Sequence, residues 1–104
     1  MENKVSTYLG FAIKSNNIIY GIDNLRDYNK KLYLIILCKT ANDKSLTIAK
    51  NLREKNKNCT VMTTNNNTLS ELLHLDNCKM VGIKNHSLAQ AIIDNALDIL
   101  VGVN

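Results

Sequence analysis

The sequence contains no tryptophan and no proline, and it has one phenylalanine and four tyrosines among its 104 residues. Because aromatic residues are so few, aliphatic side chains have to supply the hydrophobic core. A chain of this length can build one modest core and not two, so we expect a single domain over residues 1–104. No apolar run approaches the roughly 20 residues that span a bilayer, and no positively charged leader opens the sequence. We therefore expect a cytoplasmic protein without a membrane partner.

Glycine is also scarce and widely spaced. The four glycines are Gly10, Gly21, Gly82 and Gly102. The phosphate-binding loops of dinucleotide-binding proteins and of P-loop proteins need several glycines within one short turn. The sequence therefore predicts no phosphate cradle of this kind, and we expect no cofactor.

The three cysteines, Cys38, Cys59 and Cys78, are odd in number and lie about twenty residues apart. This pattern favours reduced thiols over a disulfide framework. Zinc sites usually take paired ligands at short spacing, which these cysteines lack. His74 and Cys78 are four residues apart, but the residues between them are expected to end a helix. We predict no metal site.

A nucleophile and a base could be assembled from Cys38, His86 and a carboxylate such as that of Asp94. Catalysis would require these groups to converge in space, and most chains of this size contain such a trio. We predict a protein that is not an enzyme. A pocket shared by Cys38 and His86 would favour an α/β enzyme instead.

The formal net charge is +4 and the isoelectric point is near 9.0. A basic balance favours an anionic partner such as nucleic acid. Most of the excess consists of scattered lysines, which are also common on ordinary solvated surfaces. Charge alone therefore leaves both interpretations open.

Helical and strand periods alternate along the chain. "LYLIILC", residues 32–38, is a continuous apolar run that is typical of a central strand buried on both faces. We predict further strands over residues 16–21, 59–64 and 79–84. We predict helices over residues 5–14, 22–28, 42–55, 68–74 and 87–100, capped by Asn42 or Asp43 in the third and by the Thr68-x-x-Glu71 capping box in the fourth. This order predicts a three-layer α/β/α sandwich with a central mixed four-stranded sheet.

Four stretches in this order resemble a known family. They are "YLGFAIKSNNIIYGIDNL", "LIILCKTAND", "TTNNNTLSELL" and "KMVGIKNHSLAQAI". Together they resemble the small bacterial relatives of ribosomal protein L seven Ae, a family that also includes ribosomal protein L thirty e. The matching residues in the first stretch are Leu9, Gly10, Ala12, Lys14 and Gly21. The resemblance covers nearly the whole chain and implies the same sandwich and noncatalytic binding of kink-turn RNA.

The family's recognition motif is Gly-x-Asn-Glu-x-x-Lys at the start of the second helix. Its glycine lets the RNA backbone approach, its polar pair contacts base edges, and its lysine neutralises phosphate. Gly21 matches the glycine here, Asp23 and Asn24 stand at the polar pair, and Asp27 replaces the lysine. Because an acid repels phosphate, Arg26 would have to supply the positive charge. Asp23 and Asn24 are equally typical of a helix start.

The resemblance implies a second contact in the loop after the fourth helix, where an apolar residue packs against a flipped base. That loop is "HLDNCK", residues 74–79, so Leu75 is the candidate, with Thr68, Leu69 and Lys79 around it. For Leu69, a position in the hydrophobic core is the favoured interpretation. Five lysines are candidates to frame the same end of the sheet, although each is individually typical of a solvated surface side chain: Lys14, Lys30, Lys31, Lys39 and Lys84.

The sequence and its resemblance to this family predict a noncatalytic RNA-binding protein in or near the ribosome, with a structured RNA such as a kink-turn or ribosomal RNA as its partner. The candidate contacts are Gly21, Asp23, Asn24, Arg26, Lys39, Thr68, Leu69 and Leu75. Asp27 favours an alternative, a protein-interaction module of the same fold that has lost RNA recognition.

Overall fold

The computed structural model describes residues 4–57 and 59–103. These residues form five helices and five strands. In chain order the elements are α1 (Lys4–Lys14), β1 (Ile18–Tyr20), α2 (Ile22–Asp27), β2 (Leu34–Leu37), α3 (Asp43–Lys55), β3 (Thr60–Thr64), α4 (Leu69–Leu73), β4 (Met80–Ile83), α5 (His86–Asp94) and β5 (Leu100–Gly102). None of the helices in these residues is long and apolar enough to cross a membrane.

Side-chain caps start three of the helices. The Asn42 side chain accepts a hydrogen bond from the backbone N–H of Ser45 at the start of α3, and Asn85 caps α5 in the same way. Thr68 and Glu71 form a reciprocal capping box at the start of α4. The Asn42 cap and the capping box are therefore confirmed, and both satisfy backbone N–H groups that lack partners within the helix.

The strands form a mixed sheet in the order β1-β4-β2-β3-β5. β2 and β3 are parallel, and the other three neighbouring pairs are antiparallel. Strand β2 lies in the centre and is buried at all four of its positions, as its continuous apolar run predicts. The predicted mixed α/β fold is confirmed.

The predicted strand count and the predicted end of the last helix are wrong. Helix α5 ends at Asp94, and β5 pairs with β3 in a register that places Leu100 opposite Thr64. Leu97 and Leu100 fit a helical spacing, which explains the prediction. Pairing with β3 instead satisfies backbone groups that would remain open at a sheet edge. Leu97 lies in the connecting loop and is 86% exposed.

The core is aliphatic and lies on both sides of β2, because successive strand side chains point to opposite faces. Leu34 and Ile36 pack in one cluster with residues of α1, α4 and α5. Ile35 and Leu37 pack in a second cluster with residues of α2 and α3. Residues from helices therefore take part in both clusters.

Gly82 in β4 allows α2 to lie close to the sheet. A Cβ atom at this position would lie 2.5 Å from Leu25 Cδ2 and 3.1 Å from Leu32 Cδ2. Leu25 belongs to α2 and is fully buried. Since Gly21 immediately precedes α2, this contact also determines where Gly21 lies.

Candidate nucleic-acid interface

Strand direction brings most of the candidate residues to one end of the sheet. β1, β2 and β3 end there, whereas β4 and β5 begin there, because each is antiparallel to its neighbours. Leu37 at the end of β2 pairs with Met80 at the start of β4. We call this end, formed by Gly21 and residues 38–40, 65–68 and 74–79, the Gly21 end.

Gly21 and Leu75 line one pocket of about 320 Å³ at this end. The other lining residues are Tyr20, Asp76, Asn77, Cys78 and Lys79. Leu75 is 41% exposed, so its apolar side chain is accessible from solvent at the edge of this pocket. The structure therefore brings together the two distant parts of the chain that the resemblance pairs.

Gly21 presents open backbone to the solvent. Its φ of 85° and ψ of 157° lie in a region that essentially only glycine adopts. Its N–H donates a hydrogen bond to the carbonyl oxygen of Met80 at 2.9 Å, which ties the turn to the sheet. Apart from Gly21 and its two chain neighbours, no described residue places an atom within 4 Å of the position where a Cβ would stand. A partner can therefore approach this backbone closely.

Ser70 holds the loop that carries Leu75. Its Oγ accepts a hydrogen bond from the backbone N–H of Cys78 at 3.0 Å, and its carbonyl accepts one from Leu75 N–H at 3.1 Å. His74, with a φ of 58°, ends α4 in the left-handed conformation. The loop is thus fixed at both ends. Sequence reasoning missed this role of Ser70, which only its closeness to the Thr68 capping box could have indicated.

Three of the four polar side chains of α2, those of Asp23, Asn24 and Arg26, already have partners inside the chain. Asn24 Nδ2 donates to the carbonyl oxygen of Tyr20 at 2.9 Å, which braces the turn. Arg26 and Asp23 form an ion pair at 2.8 Å, with 54% and 89% of their side chains exposed. An exposed pair of this kind contributes only about 0–1 kcal/mol. Arg26 can therefore exchange Asp23 for another anion at little cost.

Thr68 and Leu69 have structural roles. Thr68 is engaged in the capping box with Glu71. Leu69 is completely buried in the core, so its side chain does not reach the surface. Lys39 does lie at the surface, where its Nζ donates to the carbonyl oxygen of Asn66 at 2.8 Å.

The expectation that five lysines frame one end of the sheet is wrong for four of them. Lys39 follows β2 and lies at the Gly21 end. Lys30 and Lys31 precede β2, and Lys84 follows the antiparallel β4, so these three lie at the opposite end. Lys14 ends α1 ahead of β1 and lies there too. Sequence spacing does not reveal strand direction, which explains the error.

Charges around the pocket are nearly balanced. Lys79 and Asp76 are its basic and acidic lining residues. Burial and the neighbouring Cys78 raise the pKa of Tyr20, and burial is the main reason that the pKa of Cys78 is raised, so both are neutral at pH 7. The Lys79 ammonium donates to the Thr40 hydroxyl at 2.6 Å. Electrostatic attraction at this end is therefore modest.

The thiol of Cys38 lies beneath the Gly21 end. Burial raises its pKa, but hydrogen bonds from Thr40 and from the N–H of Leu69, with the nearby Lys79 charge, lower the pKa by more. The Sγ atom lies 3.1 Å from Thr40 Oγ1 and accepts a hydrogen bond from Leu69 N–H at 3.4 Å. In contrast, burial raises the pKa of Cys59 to about 11. The pKa values of these two buried thiols are therefore shifted in opposite directions.

Cys38 and His86 line different pockets. Cys38 lies with Asn42 and Asp43 around a space of about 220 Å³. His86 lines another space of similar volume, and Asp94 lines neither of the two. The trio that would have favoured an enzyme therefore shares neither pocket. Among residues 4–57 and 59–103, no group of three His, Cys, Asp or Glu residues could hold a metal ion.

Comparison with known proteins leaves the site to be interpreted from its geometry. The chain matches no protein-family model, and no curated protein is significantly similar to it in sequence.

Proposed function

We propose that this protein binds structured RNA without catalysing a reaction, as a cytoplasmic, ribosome-associated relative of the kink-turn-binding ribosomal proteins. The observation that carries the proposal is the pocket of about 320 Å³ that Gly21 and Leu75 line together. The proposal includes the family's three-layer α/β/α sandwich, which the two core clusters on the faces of the sheet support.

The proposed mechanism uses the two sides of this pocket. A sharply bent RNA backbone approaches Gly21, where the lack of a side chain leaves open space. Arg26 leaves Asp23 and pairs with a phosphate, which the weakness of the exposed ion pair permits. Leu75 packs against an unstacked base, which a sharply bent RNA leaves accessible to a protein side chain. Lys39 and Lys79 add attraction that depends on salt.

The test compares two labelled RNAs by fluorescence anisotropy: a kink-turn hairpin and the same hairpin with its bulge removed. The wild-type protein should prefer the kink-turn RNA. Leu75→Ala should lose about 1–2 kcal/mol of binding free energy, because part of a leucine side chain no longer packs. Arg26→Gln should reduce the slope of log affinity against log salt by roughly 0.7–0.9.

Leu97→Ala is the matched control, because Leu97 is an exposed leucine outside the pocket. It should bind like the wild type. Equal affinity for the two hairpins, unchanged by Leu75→Ala, would mean that this pocket does not recognise RNA.

A protein-interaction module of the same fold is the second candidate. Asp76 lines the pocket, and Asp23 forms an ion pair with Arg26. Asp27 stands where the family motif has lysine. These carboxylates favour a partner that is not a polyanion. Failure to bind the kink-turn RNA at both low and high salt would support this candidate.

A further inference from the structure

The end of the sheet opposite Gly21 carries the more basic surface. A groove of about 320 Å³ lies there, lined by Asn29, Lys30, Lys31, Lys55, Asn56 and Lys57. All four of these lysines are exposed. Acidic residues are absent from the lining residues, all of which belong to the described part of the chain. We call this surface the lysine groove.

Asn56 fixes the geometry of the lysine groove. Its Oδ1 accepts a hydrogen bond from the backbone N–H of Leu32 at 3.1 Å, and its Nδ2 donates to the carbonyl oxygen of Leu52 at 2.8 Å. These bonds tie the end of α3 to the segment that enters β2. Lys30 and Lys31 on one side therefore face a fixed partner segment that carries Lys55 and Lys57.

The charges in the lysine groove are not neutralised from within. Arg26–Asp23 is the one ion pair among residues 4–57 and 59–103. Asp27 and Glu54 are the nearest acids in sequence, and neither lines the groove. A position in the last turn of α3 explains Lys55 through the helix dipole. It does not explain the other three lysines, whose mutual repulsion a bound anion would relieve.

Aromatic side chains adjoin the lysine groove. Lys31 also lines a neighbouring pocket of about 220 Å³, together with Tyr33, His86 and Gln90. The Lys31 Nζ lies 5.6 Å from the centre of the Tyr33 ring. The rings of Tyr33 and His86 contact each other edge to face, with centroids 5.4 Å apart. Ammonium groups that can contact phosphates thus lie close to aromatic rings that can contact bases.

We infer that the lysine groove and the Tyr33–His86 pocket together bind a single-stranded nucleic acid. The lysines neutralise successive phosphates, and the pocket receives a base, which are the two contacts that single-strand binding requires. This surface lies at the opposite end of the sheet from Gly21 and does not depend on kink-turn recognition.

The charge test uses a short labelled oligouridine and the matching oligodeoxythymidine, which distinguish RNA from DNA as the source of the strand. Lys30→Gln/Lys31→Gln/Lys57→Gln should weaken binding at low salt at least tenfold and reduce the salt slope by about 2, since each lost phosphate contact removes about 0.7. The control Lys4→Gln/Lys44→Gln/Lys50→Gln also removes three positive charges, but from α1 and α3. It should keep the salt slope of the wild-type protein.

The base contact is tested with His86→Ala, because His86 is exposed and its loss leaves the core intact. Affinity should fall by about fivefold or more. The salt slope should stay the same, since stacking does not release counterions. Ser87→Ala is the control, because Ser87 is an exposed residue of α5 outside this pocket, and it should have little effect. Thermal unfolding of each variant shows that the fold is retained.

Three results would overturn the inference. The first is that neither oligonucleotide binds, and the second is that the Lys30/Lys31/Lys57 variant keeps the wild-type salt slope. The third is that the control triple variant loses as much affinity as the Lys30/Lys31/Lys57 variant. Kink-turn binding that survives any of them leaves the Gly21 proposal standing. If the protein binds the oligonucleotides but not the kink-turn RNA, the lysine groove inference stands and the Gly21 proposal fails.

Discussion

Leu25 in α2 packs directly over Gly82 in β4, so that a methyl group at position 82 would stand 2.5 Å from Leu25 Cδ2. Both residues lie in the interior, and Leu25 is fully buried. The contact joins the helix that follows Gly21 to the strand that begins after the Leu75 loop. The two sides of the candidate RNA site therefore depend on one close approach between a helix and the sheet.

Gly82→Ala should lower the free energy of unfolding by about 1–3 kcal/mol, because the added methyl overpacks this contact. Gly10→Ala is the matched control. Gly10 lies within α1, and a Cβ there would meet no atom of the described residues within 4 Å apart from its chain neighbours and the nearby backbone of the helix itself. Alanine should raise stability at this site by about 0.5–1 kcal/mol, since glycine weakens a helix interior. Urea unfolding measures both, and equal effects would contradict the packing argument.

Thr68→Ala should cost about 1 kcal/mol of stability, because it removes the side-chain cap of α4. Thr47→Ala is a suitable comparison. Thr47 is exposed within α3, and its hydroxyl donates to the carbonyl oxygen of Asp43 within the same helix. Alanine favours a helix interior, so this variant should lose nothing measurable. A similar loss in both variants, measured by chemical denaturation, would show that the cap contributes little.

Stability should fall in acid partly through Glu71. The backbone N–H and the hydroxyl of Thr68 hydrogen-bond the Glu71 carboxylate and lower its pKa, with a smaller effect from Lys39. A pKa lowered by folding means that the carboxylate stabilises the fold above its unfolded pKa. That contribution is lost as pH falls through the lowered pKa. Glu71→Gln should therefore reduce the fall in the free energy of unfolding as the pH is lowered in the acid range. An unchanged fall would show that Glu71 does not contribute to it.

Asp27→Lys should increase affinity for kink-turn RNA, because it replaces a repulsive carboxylate with the lysine of the family motif. The salt slope should steepen by roughly 0.7–0.9 if the new ammonium contacts a phosphate. Asp94→Lys makes the same charge change at the end of α5, where the carboxylate accepts a hydrogen bond from Gln90. Anisotropy titrations compare the two variants. An equal gain in both would indicate net charge rather than a local contact.

The thiols should be alkylated over different pH ranges, because iodoacetamide reacts with the thiolate. Labelling of Cys38, whose pKa is lowered, should rise at lower pH than labelling of Cys59, whose pKa is raised to about 11. Thr40→Val removes the hydroxyl beside Cys38 Sγ and should shift its profile to higher pH. Thr63→Val, in the same pocket as Cys38, should not. Mass spectrometry of peptides labelled at several pH values measures each site.

Local chemistry made much of this fold predictable. The apolar run of β2, the Asn42 cap and the Thr68 capping box appear where the sequence indicates them. Each of these features depends on contacts between residues within a few positions of one another in the chain, so the local sequence is enough to predict it. The end of α5 was less predictable, because Leu97 and Leu100 fit a helix. Only a neighbouring strand with open backbone groups makes a strand more favourable for Leu100.

By itself, the sequence determined the aliphatic core and the alternation of helices and strands. Tertiary structure decided which residues share a surface. It placed Leu75 beside Gly21, buried Leu69, and separated Lys39 from Lys30 and Lys31. The physical reason is that strand direction and order depend on pairing between segments far apart in the chain. Side-chain spacing carries no information about that pairing.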